Sequence, residues 1–81
     1  MNLNNMETID QHLYDMLRLA CEADIAKAKL TLKLLKDNPA GIGDHSTDDF
    51  YKNADDALSK LAEAQDKLEC LNRNYSVVSR V

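Results

Sequence analysis

Asn38-Pro39-Ala40-Gly41-Ile42-Gly43-Asp44-His45-Ser46 contains the only proline and both glycines of an 81-residue chain. Nothing on either side of it interrupts a helix, so this stretch divides the sequence into two long segments. Upstream, apolar or small residues stand at Met6, Ile9, Leu13, Met16, Ala20, Ala23, Leu30 and Leu34, in steps of three and four broken only by Lys27. Downstream, Phe50, Ala54, Ala57, Leu61, Ala64, Leu68, Leu71, Tyr75 and Val78 repeat the same steps without a polar interruption. Each pattern predicts a helix with one apolar face. The chain thus reads as a single all-α domain over residues 1–81: a helix over about 5–37, a loop over 38–46, a second helix over about 47–75 and a tail over 76–81.

The boundaries have chemical causes. Asn4 with Glu7, and Thr8 with Gln11, have the spacing of capping boxes and place the first helix start between residues 5 and 9. Pro39 disfavours helical geometry at Asn38, a residue that tolerates the left-handed conformation of a helix end. Ser46 or Thr47 caps the second helix, with Asp48 and Asp49 in a first turn where the helix dipole favours negative charge.

Charge order predicts that the two helices lie antiparallel. Residues 1–24 hold Glu7, Asp10, Asp15, Glu22 and Asp24 against Arg18, whereas 25–36 hold four lysines and no acid. The second helix also runs from acidic to basic, from Asp48 and Asp49 at its start to Lys67 and Arg73 near its end. Folding back at Ile42 sets the basic end of the first beside the acidic start of the second. It also sets Leu13 near Leu71, Leu17 near Leu68, Ala28 near Ala57 and Leu35 near Phe50. A second apolar edge remains at Leu17, Cys21, Ile25, Ala28, Leu32 and Leu35, with Tyr51, Leu58 and Ala62 on the other helix. One partner helix cannot cover so wide a face, and a chain of 9.1 kDa is at the size where a private core becomes marginal. The pattern predicts a homodimer forming a four-helix bundle, with Leu13, Leu17, Ile25, Leu32, Leu35, Phe50, Leu58, Leu61, Leu68 and Leu71 as core or dimer seam.

Composition excludes several function classes. A net charge of −4 and a pI near 4.9 disfavour direct binding to nucleic acid or anionic lipid, both of which require a basic surface. No run approaches the ~18 apolar residues of a membrane span. Glu7 and Asp10 lie where a signal peptide would be basic and then apolar, so the expected location is the cytoplasm. Cys21 and Cys70 fall about seven residues out of register across the hairpin, too far apart for a disulfide.

The loop carries the remaining chemistry. Gly41-Ile42-Gly43 beside a helix start has the outline of an anion cradle, but Asp44, Asp48 and Asp49 would repel a phosphate. Those aspartates with His45 are the candidate ligands for a divalent cation, although their spacing matches no calcium loop. Asp44-His45-Ser46 lists triad residue types only as sequence neighbours, whose side chains diverge. His12 reads as a boundary residue of the first helix. No activated nucleophile, nucleotide motif or di-iron carboxylate–histidine repeat is present, so neither catalysis nor a cofactor is expected.

The turn from Asn38 to His45, followed by an acidic helix start and then Leu58-Ser59-Lys60-Leu61-Ala62-Glu63-Ala64-Gln65-Asp66-Lys67-Leu68-Glu69, resembles small uncharacterised proteins of large tailed bacteriophages of the myovirus type. Those proteins often carry a larger residue at the position of Ala40, glutamate at Asp44 and proline at Ser46. The likeness covers roughly residues 34–71 and implies a phage origin and a helical hairpin; it supplies no site residues. A likeness to secreted Trp-x-Gly hairpins fails because the chain lacks tryptophan. The expected function is a non-catalytic interaction module acting on a host or phage protein. The alternatives are a metal- or small-ligand module built on the loop and an acidic DNA mimic.

Overall fold

The computed structural model describes residues 6–37 and 47–77. The chain runs β1 (Glu7–Ile9), α1 (Gln11–Asp37), α2 (Thr47–Asn74) and β2 (Tyr75–Val77), and the two helices pack against each other as a hairpin. Its principal extents are 56 × 28 × 15 Å, and its radius of gyration of 17.8 Å compares with about 12 Å for a compact domain of this length. No helix among the described residues is long and apolar enough to cross a membrane.

α1 begins later than its capping-box signals imply. Asp10 is the N-cap: its Oδ2 accepts from the backbone N–H groups of His12 (2.9 Å) and Leu13 (3.2 Å), and its carbonyl accepts from Tyr14 at 2.9 Å. Glu7 and Thr8, the expected capping residues, instead belong to β1. α2 begins at Thr47, with Asp48 and Asp49 in its first turn. Ser46 and the turn from Asn38 to His45 lie outside the described residues.

The short strands are the feature the apolar pattern does not foresee. β1 and β2 pair in parallel, Glu7 opposite Tyr75, Thr8 opposite Ser76 and Ile9 opposite Val77. Strands that simply extended two antiparallel helices would themselves be antiparallel, so the chain must turn sharply at a helix–strand junction. The hairpin serves as the crossover that parallel pairing requires. With Ile9 and Leu71 buried, and Tyr14 Oη donating to Asn72 Oδ1 at 2.6 Å, this pairing clasps the open end of the hairpin.

The seam itself is lined by small side chains. Ala28 and Ala57, each 5 % exposed, together with Cys21 and Ala64, complete the buried set with Ile9 and Leu71. Small residues on both helices permit close approach, toward the lower end of the 8–10 Å interaxial range. Ile25, Leu32 and Leu35 on α1, and Phe50, Ala54, Leu61 and Leu68 on α2, are half-buried along its margins. The face of α1 that meets α2 is therefore the second apolar edge. Met16, Ala20, Ala23, Leu30 and Leu34, the residues marked by the longer pattern, are exposed. Lys27 explains the choice: turning that stripe inward would carry an ammonium into the seam, and an unpaired buried charge is strongly disfavoured. Leu13, Leu17 and Leu58, all expected in a core or dimer seam, also lie at the surface of the hairpin, while Leu71 is buried.

Along each helix, ion pairs join residues three or four apart. Arg18 pairs with Asp15 and Glu22, Lys27 with Asp24, Lys33 with Asp37, Lys52 with Asp56, Lys67 with Glu63 and Arg73 with Glu69. Exposed pairs of this kind each contribute about 0–1 kcal/mol.

Candidate functional site

Three surfaces remain once the hairpin has closed. The first is the outer face of α1. At ~100° per residue, Met16, Ala20, Ala23, Leu30 and Leu34 centre about 120° around the helix from Ala28, well clear of α2. Leu13 is 47 % exposed, Met16 56 %, Leu30 56 % and Leu34 53 %, and Leu19 borders them, also exposed. The stripe runs along most of α1, with large apolar residues toward both ends and the exposed Lys27 interrupting it midway.

The second surface is on α2, where Tyr51 and Leu58 are exposed beside Ala62. Phe50 packs edge-on against Tyr51, with ring centroids 5.9 Å apart and planes at 65°. This patch is shorter than the α1 strip and grades into the half-buried Leu61 and Ala54 at the seam margin.

The third is a groove of about 660 Å³ between the helices, on the side of the hairpin adjoining the α1 strip. Its floor contains Ala28, Ala57 and Ala64, whose short side chains leave the space open. Its walls carry Asp24, Lys27, Asp56, Lys60, Glu63 and Lys67, three acids against three lysines. Lys27 already pairs with Asp24 at 3.7 Å and Lys67 with Glu63 at 3.4 Å, so these walls are neutralised along the helices. Among the described residues no polar or charged side chain is buried. The groove is therefore wet and charge-balanced, and it lacks the desolvated environment that activates a general acid or base.

Among the described residues two groups are displaced in their titration, both at the surface. The guanidinium of Arg18, donating to Glu22, is held above its ordinary value, and the ammonium of Lys52 is raised by its hydrogen bond to Asp56. Both shifts are the expected effect of a neighbouring carboxylate.

The loop candidates divide. Asp44 and His45 lie outside the described residues, whereas Asp48 and Asp49 are exposed in the first turn of α2. Among the described residues no three His, Cys, Asp or Glu side chains group as metal ligands. Both cysteines are free thiols, Cys21 buried in the seam and Cys70 exposed. The surface that sequence reasoning misplaced is the α1 strip, and the polar break at Lys27 is the signal that distinguishes it from the uninterrupted edge at Cys21, Ile25 and Ala28.

Compared with protein-family models, curated proteins and solved structures, the chain matches none.

Proposed function

We propose that this protein is a non-catalytic protein–protein interaction module that presents the outer face of α1 to a partner. One observation carries the reading: four large apolar side chains of α1, Leu13, Met16, Leu30 and Leu34, stay about half exposed along a single strip. Scattered apolar residues are ordinary on a soluble surface, but large apolar side chains aligned on one outer helix face support a place where another molecule is bound. The total area agrees in sense. The chain exposes 6446 Å², where a compact monomer of this mass exposes about 4,900 Å².

The resemblance of the turn and second helix to small phage proteins makes the partner a host or phage protein in the host cytoplasm, with homodimerisation as a further property of the module. The metal-module reading would rest on Asp48 and Asp49 with loop residues beyond the described ones. The DNA-mimic reading requires a continuous acidic surface, whereas acids here alternate with lysine and arginine in ion pairs along each helix. The test is affinity capture from the host with the native chain and a Leu30→Asp, Leu34→Asp variant of verified helicity. The variant should lose the captured protein. Unchanged capture by a folded variant would overturn the assignment of the strip.

A further inference from the structure

We propose that the α1 strip binds a second copy of this chain, α1 against α1 of the second copy, antiparallel, about a twofold axis at the level of Ile25. This rests on reading the strip as an interaction surface and makes a second copy its occupant in the free protein, with a host or phage partner competing for the same face.

Charge fixes the direction. Between Gln11 and Asp24, α1 carries Asp15, Glu22 and Asp24 against Arg18; from Ile25 to Asp37 it carries Lys27, Lys29, Lys33 and Lys36 against Asp37. Bases minus acids give −2 for the first half (1 base, 3 acids) and +3 for the second (4 bases, 1 acid). Parallel pairing sets like against like, whereas antiparallel pairing sets each half against its opposite. Like-charged ends would repel along the whole contact, so the twofold arrangement is selected.

Side-chain size fixes the register. In an antiparallel pair with the axis at Ile25, Leu34 lies against Met16 of the second copy, Leu30 against Ala20 and Lys27 against Ala23. A long residue meets a small or flexible one at each of these steps, which is the complementarity that knobs-into-holes packing requires. Lys27, the residue that keeps this stripe out of the hairpin seam, is accommodated here. Its stem crosses the small Ala23 while its ammonium reaches the carboxylate of Asp24 in the second copy, and its own Asp24 is already 3.7 Å away. The four charges alternate around the axis, so Lys27 becomes the polar element that specifies register.

The exposed surface of the whole chain exceeds that of a compact monomer by about 1,500 Å², the sense expected of a chain that packs against a second copy. Because the strip lies about 120° from the α2 contact, and a twofold axis normal to the α1 pair keeps both α2 helices on one side, the four helices form an open bundle. Its polar grooves then face each other across water.

Sedimentation equilibrium at micromolar concentration should give twice 9.1 kDa for the native chain. Leu30→Asp, still helical, should raise the dissociation constant at least about a hundredfold. Geometry is read by disulfide trapping in chains whose Cys21 and Cys70 are replaced by alanine. Ala23→Cys mixed with Lys27→Cys should give the mixed disulfide faster than either homodimer, and Ala62→Cys on α2 should stay uncrosslinked. A 9.1 kDa species throughout overturns the proposal, and so does preferential homodimer formation at Ala23→Cys and Lys27→Cys, which marks a parallel pair, or trapping through Ala62→Cys. A monomer whose capture of another protein still depends on Leu30 would leave the interaction reading standing and assign the strip to that partner alone.

Discussion

Leu71→Ala tests whether the clasped end holds the hairpin together. Among the described residues Leu71, 8 % exposed, and Ile9 of β1 are the large buried side chains, and the rest of the buried set is alanine and cysteine. Leucine-to-alanine truncation in a packed core costs 2–5 kcal/mol, as lost transfer energy plus the cavity left behind. A two-helix layer relaxes more easily than a thick core, which puts this site at the lower end, about 2–3 kcal/mol. At ~4–8 °C per kcal/mol for a domain of this size, the melting temperature should fall by about 10–20 °C. The control is Leu58→Ala on the same helix, where the side chain is 56 % exposed and the change should stay within ~0.5 kcal/mol. Both variants are melted by far-ultraviolet circular dichroism at the same protein concentration, so that any linked association affects them alike. Equal losses for Leu71→Ala and Leu58→Ala would refute the placement of the core, and a larger loss for Leu58→Ala would reverse the faces of α2.

Four further outcomes follow from particular contacts. Asp10→Ala should cost about 1 kcal/mol by removing the acceptor for two backbone N–H groups, while Asp10→Asn should retain most of it; faster hydrogen exchange at His12 and Leu13 in the alanine variant is the check. A double-mutant cycle on Tyr14→Phe and Asn72→Ala should show a coupling of about 0.5–1 kcal/mol for the 2.6 Å bond across the hairpin, and zero coupling would place these residues apart. A thiol reagent should modify Cys70 rapidly in the folded protein and reach Cys21 only on unfolding, so one equivalent reacts in buffer and two in denaturant. The raised pKa of Lys52 means that its contribution to stability is complete below the ordinary lysine value and is lost as pH rises through the folded-state value; Lys52→Gln should remove that alkaline component from denaturation curves measured against pH.

The hairpin was legible because helical periodicity, the concentration of Pro39, Gly41 and Gly43 in one place, and charge order all pointed the same way. The strands were not. Glu7, Thr8 and Ile9 carry the spacing of a helix start as well as that of a short strand, and the choice is made by residues far away in sequence, at Tyr75–Val77. Local propensity cannot weigh a partner that only folding delivers. Asp10 then becomes the cap because it is the first residue after the strand whose side chain can accept from the exposed N–H groups of α1.

The exchange of faces on α1 has a different origin. Counting apolar positions ranks the stripe from Leu13 to Leu34 above the edge from Leu17 to Leu35, because the first continues to Met6. Counting treats Lys27 as one miss among many hits, but free energy does not average in that way. A single ammonium in a two-helix seam outweighs several exposed leucines, since each leucine loses at most a few kcal/mol by staying in water while an unpaired buried charge loses more. Ala28 and Cys21, modest on any hydrophobicity scale, win the seam because they are small and lie on a face with no charge. Lys27 thus decides which face of α1 the hairpin uses, and in doing so it leaves Met16, Leu30 and Leu34 outside, where they are available to a second molecule.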